Sequence, residues 1–139
     1  LEKLGVPCEA KIISAHRTPS RLVNYVESAK ERGILVLVAG AGMAAALPGA
    51  VAALTPLPVL GVPMEGKLLG GLDAMLAMAQ MPGGIPVGTL AVGKAGAINS
   101  AILATSIIAL SDEKISVNLD KYRAKQTANV NEDPIDEIQ

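Results

Sequence analysis

A gap in charge constrains this chain more than any other feature. From Ile34 to Met64 no residue ionises. A run of that length is enough to cross a bilayer, so it must either span a membrane or form the interior of a packed domain. Gly40, Gly42, Pro48, Pro56, Pro58 and Pro63 decide between the two. They cut the run into pieces of strand and helix length. A backbone broken that often leaves polar groups that lipid does not satisfy. The run therefore reads as the interior of an alternating strand and helix domain, with no membrane span.

The periodicity on either side agrees. Glu9 to Ser14 reads as a short strand centred on Ile12 and Ile13. Thr18 is placed to cap a helix, and Pro19 sits at the first helical position, where its missing N–H does no harm. That helix is expected to run to about Arg32, with Leu22, Val26 and Ala29 on one face and Gly33 as its stop. Ile34 to Ala39 is continuously apolar, as in a parallel strand covered on both faces. Gly40-Ala41-Gly42 reads as a turn, Ala44 to Leu54 as a helix of small residues, and Pro58 to Leu60 as a strand. Leu68 to Gln80 reads as a helix with Leu69, Leu72, Leu76 and Ala79 on one stripe. Met81 to Gly84 is a loop and Val87 to Val92 a strand. Ala95 to Leu110 carries no charge and is apolar nearly all round, which predicts burial on every side. In so small a domain that burial falls between subunits. Asp112 to Val130 is a last amphipathic helix, aligning Ile115, Leu119, Tyr122 and Gln126, and residues 131–139 form a polar tail that frays. Four strands alternating with helices predict one α/β domain over residues 1–139, with a parallel sheet and right-handed crossovers.

Composition removes several classes of function. With 12 Lys and Arg against 13 Asp and Glu, the net charge is −1, so there is no basic footprint for nucleic acid. The chain has no Phe, no Trp and two Tyr, which leaves no base-stacking platform. A single cysteine, Cys8, and a single histidine, His16, give no disulfide framework and no recurring metal-ligand spacing. Cys8 reads as a small packed residue. A reducing, cytoplasmic setting fits the lone cysteine. Mean hydropathy of +0.42 is high. It fits a chain that hides apolar surface against copies of itself. The sequence opens on Leu rather than Met and reads as starting inside a longer protein.

In parallel α/β sheets, ligands bind beyond the carboxyl ends of the strands. The densest polar cluster, Ser14-Ala15-His16-Arg17-Thr18-Pro19, lies at such an end and opens a helix. A helix start offers N–H groups and positive potential to an anion. Arg17 adds a fixed cationic fork suited to phosphate, Ser14 and Thr18 add hydroxyls, and His16 is the side chain best suited to proton transfer near neutrality. A solvated surface turn is the competing reading of the same residues. Gly40-Ala41-Gly42 lets backbone approach a ligand, but Ala45 stands where the dinucleotide fingerprint needs its third glycine, and no Gly-Lys-Ser/Thr follows. A tight turn alone is the plainer reading there. Glu65 and Lys67 read as a solvated loop.

Taken together, the short motifs are more specific than any one of them. Ser14 to Pro19, Ala39-Gly40-Ala41-Gly42, Leu47-Pro48-Gly49, Pro58 to Pro63, Gln80-Met81-Pro82 and Gly84-Ile85-Pro86-Val87 occur in order and at consistent spacing. The chain thereby resembles the N5-carboxyaminoimidazole ribonucleotide mutase family, the class I catalytic subunits of phosphoribosylaminoimidazole carboxylase. The likeness covers nearly the whole chain through Leu110.

The resemblance implies a flavodoxin-like three-layer sandwich assembled as a homo-octamer. It implies a purine-biosynthesis reaction that moves a carboxylate from the exocyclic nitrogen of an imidazole ribonucleotide to ring carbon 4. That transfer passes through released carbon dioxide and uses no metal, biotin or ATP. His16 matches the family's catalytic histidine, while Ser14, Ala15 and Arg17 match substrate and phosphate contacts. Gly40, Ala41, Gly42 and Leu47 match positions lining the site. Arg17 resembles the mutase branch, because the branch that carboxylates directly usually has Lys there. Three departures accompany the likeness. The family's first strand and its phosphate-gripping Gly-Ser-x-Ser-Asp loop precede the point where this sequence starts. Met43 stands where the family usually has Gly, and Ala46 where it usually has His. Direct carboxylation of the aminoimidazole ribonucleotide, or a non-catalytic oligomeric relative, natural or engineered, are the other readings these features leave open.

Overall fold

A computed structural model describes residues 1–132. Its elements are a 3-10 turn at Glu2–Leu4, α1 (Pro19–Glu27), β1 (Leu37–Ala41), α2 (Leu47–Ala53), β2 (Val59–Pro63), α3 (Leu72–Ala79), β3 (Gly88–Thr89), α4 (Gly93–Ala109) and α5 (Glu113–Ala128). Among the described residues the sheet has three parallel strands in the order β1-β2-β3, not the four expected. Leu37 pairs with Val59 and Ala41 with Pro63, while Leu60 and Gly61 pair with Gly88 and Thr89.

The missing strand of that expectation is Glu9–Ser14. The segment belongs to no strand ladder among the described residues. A strand is defined by a neighbour, and no strand lies beside this one. Ile13 still packs against the core, but Ile12, its expected partner at the apolar centre, is 94% exposed.

β2 is central and buried along its whole length. On one face, Leu37, Ala39 and Val59 meet Leu22, Val26 and Ala29 of the α1 region and Val51 and Ala52 of α2. Alternation sends Leu60 and Val62 to the other face, where α4 crosses β2 and β1. α4 does not cover β1 fully. Val38 is 44% exposed, so this strand is not sealed on both faces as its unbroken apolar run predicted.

Several helices start late or stop early. α1 ends at Glu27 and gives way to turns that close at Gly33, in the left-handed region at φ +81°. α2 begins at Leu47 rather than Ala44, which puts Pro48 in its first turn. Residues 67–71 form turns through Gly70 and Gly71, both at positive φ, so α3 begins only at Leu72. Its inward face is Ala74 and Met78, not the leucine stripe; Leu69, Leu72 and Leu76 are each about half exposed and Ala79 is exposed. Small Ala74 allows close approach to the sheet. At Gly61 an added Cβ would sit 3.0 Å from Met78 Sδ, so the space is already filled.

α4 buries Gly96, Ser100, Ala104 and Thr105. Ser100 and Thr105 donate to the carbonyls of Ala97 and Ala101 at 2.8 Å, which satisfies both hydroxyls inside the helix. Within this chain α4 is not buried on every side: Ile98 and Leu103 are exposed, and the helix includes Lys94. α5 is capped by Asp112, whose carboxylate accepts from Ile115 N at 3.0 Å. Its aligned Ile115 and Leu119 are buried as expected; Ile115 packs on Leu4 and Val6, and Asn118 donates to Leu4 O. Of the fraying tail, residues 133–139 lie outside the described residues. Among the described residues no helix is long and apolar enough to cross a membrane.

Candidate functional site

His16 stands in a turn that the chain ties with its own hydrogen bonds. The backbone N–H of Thr18 donates to Ser14 O at 2.9 Å. Thr18 Oγ1 accepts from Ser14 N at 2.9 Å and donates to the same Ser14 O at 3.0 Å. Arg17 N donates to Ser14 Oγ at 3.2 Å. Ala15, His16 and Arg17 are thus held between two fixed residues. The His16 ring and the Arg17 guanidinium are exposed, so the ring is not turned into the core.

Thr18 does not cap α1 with its side chain, contrary to the sequence reading. Its hydroxyl faces back to Ser14 instead. The amides of Ser20 and Arg21, after Pro19, consequently take no bond from Thr18 Oγ1. The start of α1 keeps donors in the region where Arg17 supplies positive charge.

The segment leading to this turn is pinned to α1 rather than to a sheet. Arg21 donates to Ile12 O at 3.4 Å. Tyr25 donates its hydroxyl to Glu9 Oε1 at 2.9 Å, and Arg32 pairs with the same carboxylate oxygen. The Arg32 guanidinium also lies 4.7 Å from the centre of the Tyr25 ring. The Arg32 hydrogen bond, then that of Tyr25, holds the Glu9 carboxyl below its ordinary range. Burial first, and the bond to Glu9 second, push the Tyr25 hydroxyl upward, so it stays protonated as the donor. An open hollow of about 770 Å³ runs beside this clasp, lined by residues that include Lys11, Arg21 and Arg32; His16 is not among them. Cys8, read as packed, is exposed on the same surface run.

The second group of expected site residues lies at the end of β1. Gly40 and Ala41 are strand residues, not a turn. The backbone reverses afterwards, through Met43 at φ +55°, with Ala45 N donating to Met43 O and Ala46 N to Ala44 O. Gly42 does allow a close approach, but of the chain itself: a Cβ there would meet Met64 Cβ at 3.4 Å. Met64 N donates to Ala41 O at 2.8 Å across the same junction. Leu47 opens α2. Ala15 and Leu47 pack on the same apolar cluster, which joins the His16 turn to the start of α2. Ala41 packs on a different one, with Ala45, Ala74 and Met78. Glu65 and Lys67 are exposed, as the loop reading expected. Among the described residues no three His, Cys, Asp or Glu side chains gather to hold a metal ion.

Residues 1–129 match the family model described as AIR carboxylase. The chain is 55% identical to an N5-carboxyaminoimidazole ribonucleotide mutase of Brucella melitensis over 137 residues, covering 99% of this chain and 85% of that protein. A mutase of the same name from Pseudomonas aeruginosa is 52% identical over 134 residues, 96% of this chain and 82% of its own length. The bifunctional purine synthesis protein purC/E of Dictyostelium discoideum is 56% identical over 136 residues, which cover 98% of this chain and 14% of that protein. In fold, the chain superposes on the crystal structure of Treponema denticola PurE with a TM-score of 0.78 at 24% identity, covering 91% of this chain and 78% of that one.

Proposed function

The chain belongs to the AIR carboxylase family, and from that premise we propose that it interconverts N5-carboxyaminoimidazole ribonucleotide and 4-carboxy-5-aminoimidazole ribonucleotide in de novo purine biosynthesis. His16 is the acid and the base. As the carboxylate leaves the exocyclic nitrogen as carbon dioxide, the protonated imidazole gives that nitrogen its proton. Ring carbon 4 then attacks the carbon dioxide, and the imidazole, now neutral, removes the proton from carbon 4. The proton returns to the ring and the two steps balance. An imidazole has one nitrogen that can give a proton and one that can take it, so one side chain can play both parts.

The observation that carries this reading is the exposed His16 ring on a turn fixed by hydrogen bonds at Ser14 and Thr18. Arg17 and the free amides at the start of α1 suit the ribose phosphate, because both present donors and positive potential. Ser14, Ala15, Gly40, Ala41, Gly42 and Leu47 line the substrate. The test replaces His16 by Asn and follows conversion of the carboxylated ribonucleotide. Turnover should fall by about 10²- to 10⁴-fold, the usual contribution of a placed acid–base group. Parent-like turnover would overturn the assignment. Met43 in a left-handed conformation favours one second reading, a relative that binds the ribonucleotide without turning it over. Tight binding by the parent chain together with no conversion is the result that would select it.

We also propose that the protein works as a homo-oligomer, an octamer. The outward leucines of α3, with Ile98 and Leu103 of α4, are large apolar side chains left exposed in a single chain, and surfaces of that kind mark interaction sites. Light scattering checks the point, and a stable, soluble monomer would contradict it.

A further inference from the structure

We propose that Thr18 is a positioning residue for the acid–base chemistry, acting through the turn that carries His16; this rests on the reading of His16 given above. The argument begins with what a threonine hydroxyl has available: one proton to give and lone pairs to receive. Thr18 spends both on a single residue. Its Oγ1 receives the Ser14 N–H at 2.9 Å and gives its own proton to Ser14 O at 3.0 Å. It therefore grips the peptide groups on either side of the Ser14 Cα. The Thr18 backbone N–H adds a third bond, to Ser14 O. His16 is the middle residue of the five so closed.

Ile13 and Ala15 anchor the stretch to the apolar core, and the Thr18 hydroxyl adds the side-chain bonds that close the turn itself. Among the described residues no strand lies beside the segment before Ser14, and Arg21 reaches back to Ile12 O at 3.4 Å. The half-buried Thr18 hydroxyl is thus the tie at the point where the chain leaves the extended segment and enters α1. It also holds Ser14 Oγ where Arg17 N donates to it, at 3.2 Å. Without the hydroxyl, the backbone bond from Thr18 N still allows a turn. The Ser14 N–H loses its acceptor, and the backbone that carries His16 is held by the Thr18 N–H bond to Ser14 O and by that from Arg17 N to Ser14 Oγ alone.

Thr18→Val removes the hydroxyl while keeping the branched shape and stiff χ1 that suit the residue before α1. Thr18→Ser keeps the hydroxyl and drops the methyl. Misplacement of a reacting group by about 1 Å can lower a rate by about 10²-fold. Thr18→Val should accordingly lower kcat by roughly 10- to 100-fold with KM within about threefold of the parent. Thr18→Ser should restore kcat to within about threefold. Hydrogen exchange at the Ser14 amide should accelerate in Thr18→Val and not in Thr18→Ser.

Parent-like kcat in folded Thr18→Val would overturn the proposal. So would a rise in KM at unchanged kcat, which would make the hydroxyl a substrate contact, or a Thr18→Ser variant no better than Thr18→Val. If Thr18→Val unfolds where Thr18→Ser is folded, the hydroxyl serves stability and the proposal also falls. Failure of the underlying reading is distinct, because His16→Asn would then turn over normally while the Ser14 amide still reported the loosened turn.

Discussion

Met43 should be the easiest residue in this chain to improve. It occupies the left-handed region at φ +55°, and it does so with a long unbranched side chain. For a residue with a Cβ that conformation costs about 1–2 kcal/mol. Glycine does not pay that steric term, but it adds about 0.5–1 kcal/mol of freedom to the unfolded chain. The Met43 side chain is 73% exposed, so its removal forfeits little buried surface. Met43→Gly should therefore stabilise the fold by about 0.5–1 kcal/mol, raising the thermal midpoint by about 2–5 °C for a domain of this size. Met43→Ala is the control: it removes the same flexible side chain but keeps the Cβ that makes the conformation costly. Thermal and urea unfolding followed by circular dichroism measure both, and the urea slope should not change, since the surface exposed on unfolding is nearly the same. A Met43→Gly midpoint at or below the parent's would refute the reasoning, as would an equal gain in Met43→Ala.

Two other substitutions test separate parts of the fold. A Cβ added at Gly96 would overlap Ala91 O, a backbone atom that cannot swing away. Gly96→Ala should therefore cost about 3 kcal/mol and lower the midpoint by about 10 °C, and an unchanged midpoint would show that α4 does not pack on residue 91 this closely. Arg32→Ala removes the partner that holds the Glu9 carboxyl below its ordinary value of 4.5. A carboxyl depressed in the folded state contributes stability above its unfolded value and loses it as pH falls through the folded one. The parent should thus outlast Arg32→Ala at pH 7, and the gap in midpoint should close as the medium is acidified below 4.5; a gap that stays constant would remove the ion pair as its source.

What could be read from residue order was mostly what neighbours along the chain decide. Leu22, Val26 and Ala29 repeat at helical spacing and are buried together, and Ile115 and Leu119 do the same. α3 shows where that logic stops. Leu69, Leu72 and Leu76 form the more apolar stripe, yet the sheet receives Ala74 and Met78. Spacing reveals an apolar face, but not which surface covers it. Beside Gly61 and Pro48 the gap admits a small residue and a flexible thioether, not a row of leucines. Glu9–Ser14 fails as a strand for a related reason. Its residues suit one, but pairing is settled by a distant segment, and none among the described residues lies alongside. At the candidate site, His16 and Arg17 were legible from residue type and from their place before a helix. The work of Thr18 was not, because a threonine preceding Pro19 reads as a cap, and nothing in the spacing tells which way its one proton turns.

The two turns of the candidate site are therefore held by opposite means, and this bears on where the chain can tolerate change. Residues 14–18 keep their shape through bonds that their own side chains supply. The turn after β1 keeps its shape against the preference of the residue in it. Met43 stays left-handed although methionine disfavours that conformation, so the constraint must come from outside the residue. Its sources are visible: Ala41 O is tied to Met64 N at 2.8 Å, Gly42 sits against the Met64 backbone and Cβ, and Ala45 is buried with Ala74 and Met78. A turn imposed by its surroundings survives replacement of the residue inside it, with a change in stability that follows how well the new residue suits the left-handed region. A turn built from one hydroxyl does not survive loss of that hydroxyl with the same precision. Substitutions at Met43 should consequently register first in stability, and those at Thr18 first in rate.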